Sequence, residues 1–366
     1  MTASAHPAAP AALPPSVRLR IVADRAGFDA LEGPWRALDA SPRVKPFQQY
    51  GWIAAWVRTI GSAAGVRLKV VTLWEGDRLI AALPLCVRRY KGLRMLEWAA
   101  ARVSDYCDAV VDPAVDGDAA LRALWNGARA GGGFDVARFS HLRTDGLMFP
   151  VMSALEPWTE TYEDAGGVSI VWPNGQEWLQ GQSAGLRDRV KYNARRMAKA
   201  GFGVRLCDSA EKRTRIIDTL ITQKRPWLAE RGLKSFIDEP GGVEFLQATV
   251  AESWARGELH LSTVEKAERI AACDLAFVRD GVIYSYMASF DPEYRKYSFG
   301  RVLTDCLFMW ACDSGLSRLD LLLGAYDYKT EYNCTLEPVR TLVLPRGLIG
   351  SAAVLLYRRQ ASRRSQ

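Results

Sequence analysis

The chain has 366 residues, which suits two domains of ordinary size, and its 49% hydrophobic and 24% charged residues describe a globular protein. No apolar run approaches the roughly 20 residues that span a bilayer, which argues against an integral helical membrane protein. Seven scattered cysteines without a C-x-x-C and three isolated histidines argue against a disulfide framework and a zinc or other His-based metal site, and suit a reducing cytoplasm.

The net charge of +7 is unevenly placed: Gly185 to Lys234 holds 14 Lys/Arg against 5 Asp/Glu, more surplus than the whole chain shows. A local basic patch predicts a site for phosphates or another polyanion rather than general nucleic-acid coating, and no DNA partner is expected.

In chain order, residues 1–15 are Ala/Pro-rich and read as a disordered leader, with neither the basic start nor the apolar core of a signal peptide. A strand is predicted over Val17–Val22, then helices near Phe28–Asp39 and Gln48–Ile60. Leu68–Glu75 and Arg78–Arg89 read as a β-hairpin turning at Glu75-Gly76-Asp77. Strand signal follows at Met95–Ala99 and Asp108–Val111. A helix over Asp118–Ala130 stops at Gly131-Gly132-Gly133 before a strand at Phe134–Phe139. The second half repeats this grammar. Val168–Trp172 is strand-like, Leu186–Ala200 is a helix stopped by Gly201, and Phe202–Cys207 is a strand. Helices over Ala210–Glu230 and Gly242–Ala255 precede strands at Leu259–Val264, Ile270–Arg279 and Val282–Phe290, with Asp280-Gly281 as a hairpin turn. A buried helix, Gly300–Asp313, leads into a strand at Arg318–Leu323. Asp112-Pro113 and Asp291-Pro292 occupy matching places in the two halves, as duplication of one α/β unit would leave them. The fold class is therefore α/β with mixed, mostly antiparallel sheets. It divides into domains at 16–165 and 166–346, and an apolar-then-basic tail at 347–366.

The most informative stretch runs from Val282 through Asp291-Pro292-Glu293-Tyr294-Arg295-Lys296-Tyr297-Ser298-Phe299-Gly300-Arg301. A strand ends, a polar loop crosses, and an apolar helix begins at a glycine. Free amides of the first helical turn and the helix dipole would attract an anion there, and Gly300 permits its close approach. A plain strand-to-helix connection is the other reading.

Arg295-x-x-Ser298-x-Gly300 resembles the Arg/Gln-x-x-Gly-x-Gly/Ala pyrophosphate loop of the GNAT acyltransferases, with Ser298 where the first Gly is usual. Phe47-Gln48-Gln49-Tyr50-Gly51-Trp52, Ser104-Asp105-Tyr106-x-Asp108 and Leu319-Asp320-Leu321-Leu322-Leu323-Gly324 with Tyr328-Lys329 are similar to the CelD/BioF2-like branch, over roughly residues 16 to 345. That branch often serves exopolysaccharide synthesis and is related to the FemAB-like aminoacyltransferases with two tandem GNAT-like domains. The resemblance implies tandem GNAT-like domains. It also implies acetyl-CoA, or another acyl-CoA, as co-substrate, held by Arg295, Ser298, Phe299, Gly300 and Arg301. The thioester would lie against the strand Tyr286–Phe290, with a backbone N–H of Met287 or Ala288 polarising its carbonyl. Tyr328, with Tyr326 as substitute, would protonate the departing thiolate. Asp105 is the candidate acceptor-side carboxylate, being polar amid strands that read as buried.

The helix Arg189 to Gly201 resembles a basic segment seen in both relatives. Leu186, Val190, Ala194 and Met197 share an inward face, and Lys191, Arg195 and Lys199 form a stripe at a spacing of four. The stripe is either a solvated face or a contact for phosphates of the substrate or of CoA. Lys329 either pairs with Asp320 or touches substrate. No Gly-x-Ser-x-Gly elbow and no Cys–His pair suggests another nucleophile.

These readings predict a cytoplasmic acyl-CoA-dependent N-acyltransferase acting on an amino sugar or a polysaccharide precursor. The alternatives are an aminoacyltransferase using aminoacyl-tRNA and a non-catalytic partner in polysaccharide assembly. The tail, Gly347 to Tyr357 followed by Arg358-Arg359 and Arg363-Arg364, either docks on the protein or gives peripheral contact with an anionic membrane surface.

Overall fold

The structure, a computed structural model, describes residues 13–324 and 327–364, with all of their side chains except those of 327, 328 and 362–364. It divides into two compact units, one ending at Tyr162 and taken up again from Val339, the other Glu163–Pro338. The second unit thus closes at Pro338 rather than at 346, because Val339–Pro345 pairs antiparallel with a strand of the first unit, Val136–Arg143.

The first unit begins with β1 (Val17–Val22), α1 (Arg25–Asp29), α2 (Glu32–Leu38), α3 (Tyr50–Arg58) and α4 (Ile60–Ala63). Strands β2 (Arg67–Leu68), β3 (Val70–Glu75), β4 (Arg78–Leu83), β5 (Leu85–Tyr90), β6 (Leu93–Trp98) and β7 (Val110–Val111) follow. After α5 (Gly117–Ala130) come β8 (Val136–Arg143) and α6 (Met148–Ser153). Strands β1-β3-β4-β7 form an antiparallel sheet. Pro84 ends the long second arm expected for the hairpin. It has no N–H to continue the ladder, and β5 pairs instead with β2 and β6. Trp98, Trp125 and Phe139 centre the core. Of the expected leader, residues 1–12 lie outside the described residues, and Leu13 packs against this core.

Strand β9 (Trp158–Ser169) carries the chain into the second unit, through α7 (Gly175–Gln180), α8 (Ala184–Lys199), β10 (Gly203–Leu206), α9 (Ala210–Glu230) and α10 (Gly242–Ala255). Then come β11 (Leu259–Lys266), β12 (Arg269–Arg279), β13 (Val282–Phe290), α11 (Phe299–Asp313), β14 (Arg318–Leu323) and α12 (Asp327–Thr330). Strands β10-β11-β12-β13 are an antiparallel meander; β14 pairs parallel with β13 and antiparallel with residues 165–169 of β9. Asp280 and Gly281 both take positive φ, 48° and 74°, as the two-residue turn between β12 and β13 demands. Helix α9 packs on one sheet face, where Gln223 Nε2 donates to Ile270 O. Helix α11 covers the other, with Phe299, Val302 and Leu303 against Val264 and Ala272.

The chain ends with β15 (Thr335–Pro345) and α13 (Gly347–Arg364). The segment expected as a separate tail is therefore helical and docked: Val354 packs on Met95, Val136 and Val343, and Tyr357 meets Trp158 edge-on at 5.5 Å.

The two units repeat one junction. Asp112 N–H donates to Ile80 O at 2.9 Å, and its carboxylate pairs with Arg78 at 2.6 Å. Asp291 N–H donates to Ala271 O at 2.8 Å, and its carboxylate pairs with Arg269 at 2.8 Å. Each Asp-Pro thus ties the end of the fourth strand of an antiparallel run to the start of the third, just before a helix.

Candidate active site

Strands β13 and β14 pair only at Val282↔Arg318, Ile283↔Leu319 and Tyr284↔Asp320. Beyond Tyr284 they part, and β13 runs on to Phe290 held on its β12 side alone. Met287 and Ala288 lie in this parted stretch, opposite Leu275 and Asp274 of β12. Its β14-facing backbone edge is left unused by the sheet, which is what a donor to a substrate carbonyl requires.

The parting has a visible cause. Strand β14 shifts register against β9 between Asp320 and Leu323, and Leu322 takes φ 59°. Asp320 Oδ1 accepts the Leu322 N–H at 2.8 Å, and Lys329 Nζ donates to Leu322 O at 2.6 Å and to Leu323 O at 3.1 Å. Lys329 is only 1% exposed. It therefore fastens the strand bend, where two carbonyls turned out of the ladder need a buried donor. Lys224 of α9 was missed by the sequence reading. Its ammonium donates to Ala288 O at 3.0 Å and lies 4.4 Å from the Trp227 ring centroid. Burial depresses its pKa, with Arg231 adding to the effect. The signal was a lysine beside Leu220, Gln223 and Trp227 on the inward side of α9.

At the far end of β13, residues Pro292–Tyr297 make a 3₁₀ turn, and Ser298 follows in the left-handed region at φ 54°. That is the conformation glycine favours, at the position where the resembled motif has glycine. Helix α11 starts next with no side-chain cap and no acidic residue in its first turn. The N–H groups of Phe299 and Gly300 have no acceptor within the helix. A Cβ built on Gly300 would meet nothing within 4 Å, so the space before this turn is open. Phe299 is buried against Phe202 and stacks on Tyr297 at 5.3 Å, fixing the loop to the core. Arg295 is exposed and pairs with Glu230 at 3.3 Å; Arg301 pairs with Glu331.

Helix α8 buttresses this loop. Arg196 donates to Lys296 O at 2.8 Å and lies 5.0 Å from the Tyr297 ring centroid. Lys191, Arg195 and Lys199 are all exposed on α8. Leu186 and Val190 are buried and Met197 half-buried, but Ala194 is exposed; Asn193 takes the half-buried place. Arg189, not singled out from sequence, forms a two-bond ion pair with Asp305 of α11 at 3.0 and 3.1 Å, and the Tyr332 hydroxyl donates to Asp305 at 2.7 Å. Burial raises the Asp305 carboxyl, opposed by the Tyr332 hydrogen bond and the Arg189 charge. This triad pins α8 to the helix that opens the site.

Asp105 is half-buried in the first unit, between the turn at Ala101–Val103 and β7. Its neighbours build that unit. Ser104 Oγ accepts from Trp52 Nε1 at 3.0 Å, and Gln48 Nε2 donates to Tyr106 O at 2.7 Å. Asp108 accepts the N–H groups of Leu147 and Met148 at the start of α6. These contacts explain why the two motif segments go together. The Tyr328 side chain and the whole of Tyr326 lie outside the described residues. Cys306 and Cys312 have thiols raised to about 11 by burial, unsuited to thiolate chemistry. Among the described residues no group of three or more His, Cys, Asp or Glu is placed to hold a metal.

A family model described as an acetyltransferase (GNAT) domain matches residues 184–330, the span from α8 through the open helix to α12. Among solved structures, FemX superposes with a TM-score of 0.60 at 10% identity, over 87% of this chain and 96% of that one. A tandem GNAT protein from the clavulanic acid biosynthesis pathway superposes at 0.51 with 13% identity, over 90% and 99%. L-PGS from Bacillus licheniformis superposes at 0.51 with 12% identity, over 84% and 95%. No curated protein sequence matches the chain. Residues 184–330 thus carry a GNAT domain, a domain type that uses acyl-CoA, and the chain as a whole has the tandem GNAT fold.

Proposed function

We propose that this tandem GNAT-fold chain is an N-acyltransferase using acetyl-CoA and acting on an amino sugar or precursor of an exopolysaccharide or cell-envelope glycan. The observation that carries the reading is the start of α11: a left-handed Ser298, open space before Gly300 and no carboxylate in the first turn. It lies at the end of the strand that parts from β14. Diphosphate would sit on the Phe299 and Gly300 amides with Arg295 and Arg301 beside it. The pantetheine arm would run back along the free edge of β13 to Met287 and Ala288.

The acceptor amine attacks the thioester carbon, forming the C–N bond as the C–S bond breaks. A backbone N–H at Met287 or Ala288 bears the developing oxyanion charge, and Tyr328 returns a proton to the thiolate. The amine proton leaves through an acceptor-side base, for which Asp105 is the candidate. Tyr328→Phe is expected to lower kcat about 100-fold with little change in KM for acetyl-CoA. Asp105→Asn is expected to alter the acceptor KM or the acidic limb of the pH profile. Near-normal kcat/KM in both variants would remove these two assignments.

The exposed cations of α8 support a second reading, an aminoacyltransferase that grips tRNA phosphates. A degenerate GNAT fold acting as a partner in polysaccharide assembly is the third. Calorimetric titration separates them: acetyl-CoA heat supports the first, charged-tRNA heat the second, and neither the third.

A further inference from the structure

Helix α13 buries one side and leaves the other bare. Gly350, Val354 and the ring of Tyr357 face the first unit, where a Cβ on Gly350 would collide with Asp135 O. At 100° per residue the opposite side carries Leu348, Ile349, Ala352, Leu355 and Leu356. Leu348 is 90% exposed, Ile349 67%, Leu356 58% and Leu355 50%. Scattered single apolar residues on a surface need no explanation, but four large ones on one helix face form a stripe.

The exposed charge around that stripe is mostly positive, the nearby carboxylates Glu97, Asp135 and Glu160 each pairing with an arginine of the sheet. Helix α13 contains Arg358, Arg359, Arg363 and Arg364 and no carboxylate. The β5–β6 turn lies alongside, because Leu93 packs on the cluster that holds Val354. This turn presents Arg89, Tyr90 and Lys91, all exposed, with Lys91 and Gly92 at φ 48° and 82°. Both Arg88 and Lys91 lie over the Tyr90 ring, at 5.3 and 5.4 Å from its centroid. Apolar side chains, an aromatic tip and exposed cations from two separate elements therefore share one region of the first unit.

We propose that this region docks the protein on an anionic lipid surface, with α13 lying in the interface plane. The leucines and isoleucine would enter the acyl boundary while the arginines, Lys91 and Arg89 meet lipid phosphates. No described helix is long and apolar enough to cross a membrane, so the contact is peripheral. A second copy of this chain is the poorer occupant. A two-fold interface sets each patch against itself, and this one would set its exposed cations against one another.

Sedimentation of the full chain with vesicles tests the proposal, using pure phosphatidylcholine and phosphatidylcholine containing a quarter phosphatidylglycerol. Binding is expected only to the anionic vesicles, falling severalfold between about 50 and 300 mM salt. The variant L348S/I349S/L355S/L356S is expected to bind at least tenfold more weakly with an unchanged Tm, since these side chains are already in water. R358Q/R359Q is expected to bind severalfold more weakly and with a flatter salt response. Failure of the wild-type chain to bind anionic vesicles would overturn the proposal. So would equal binding by the serine variant, or self-association of the wild type that the serine variant abolishes.

Discussion

The two Asp-Pro junctions begin alike and end differently. In both, an arginine opening the third strand of the run pairs with the aspartate, and the aspartate N–H bonds two residues further along that strand. The helices that follow have opposite electrostatic character. Helix α5 is capped by Asp116, whose carboxylate accepts from Ala119 N–H at 3.2 Å, and Asp118 lies in its first turn. Helix α11 has no side-chain cap and no acid there, and its second residue is a glycine facing open space. A phosphate approaching α5 would meet two carboxylates in the first turn; approaching α11 it would meet uncapped amides and two arginines, each paired with a glutamate. The scaffold of the junction is retained in both units, while of the two helices only the second starts uncapped and without an acid.

The strongest way to break this contrast is Gly300→Asp, which gives α11 the acid that α5 has. Acetyl-CoA affinity should fall by about 100-fold or more, with Tm held or slightly raised because an acid suits a helix N-terminus. Asp116→Ser with Asp118→Asn should leave that affinity unchanged in the same calorimetric assay. Detectable loss there would give the first unit a part in binding.

Much of this was legible in advance, and the reasons are local. Helices α9 and α10 and strands β13 and β14 fall on the expected boundaries, because Asp280-Gly281 and the cap residues mark them in sequence. The open turn at Ser298 and Gly300 was legible for the same reason. The unit boundaries were not, since a partner strand such as β8 for Val339–Pro345 is fixed by tertiary pairing that no local pattern encodes. Sequence does not choose a role for Lys329, because a lysine next to a candidate tyrosine gives no sign that two upstream carbonyls accept from its ammonium. The repeat was more visible than the Asp-Pro pairs alone: Arg78-Leu79-Ile80-Ala81 in β4 corresponds to Arg269-Ile270-Ala271-Ala272 in β12, an arginine followed by three apolar residues.

Arg189→Met tests the support that α8 gives the open helix. It leaves Asp305 buried with the tyrosine hydroxyl and the more distant Arg301 charge, and should cost about 2 kcal/mol in urea unfolding. A pH difference between the units should follow from Asp274 on β12, a position where β4 is wholly apolar along its inner length. Asp274 Oδ2, with Ser262 Oγ and His260 Nε2 on the neighbouring strand, is buried without a protein hydrogen-bond partner among the described residues. Burial raises the Asp274 carboxyl to about 7. A carboxyl raised on folding contributes stability that is complete below its unfolded value near 4 and is lost as pH rises through about 7. Thermal melts should show Tm falling by a few degrees between pH 5 and pH 8, and Asp274→Asn should flatten that slope. A slope unchanged in the variant would move its origin elsewhere.

The smallest effect expected is that of the exposed stripe. Changing Lys191, Arg195 and Lys199 together to Gln should weaken acceptor or CoA binding three- to tenfold and flatten its salt dependence. Wild-type kinetics at both low and high salt would leave those cations as a solvated face.

The way the last strands are shared bears on the order in which the protein can mature during synthesis. Strand β8 finds its antiparallel neighbour only in Val339–Pro345, and the residues covering Met95 and Val136 include Val354. The first unit therefore emerges from the ribosome with an open sheet edge and an uncovered apolar patch, and it stays so while the whole second unit is being made. Completion of the amino-terminal half is a late event, so a chain stopped at Pro338 would carry an intact GNAT domain beside an unfinished companion.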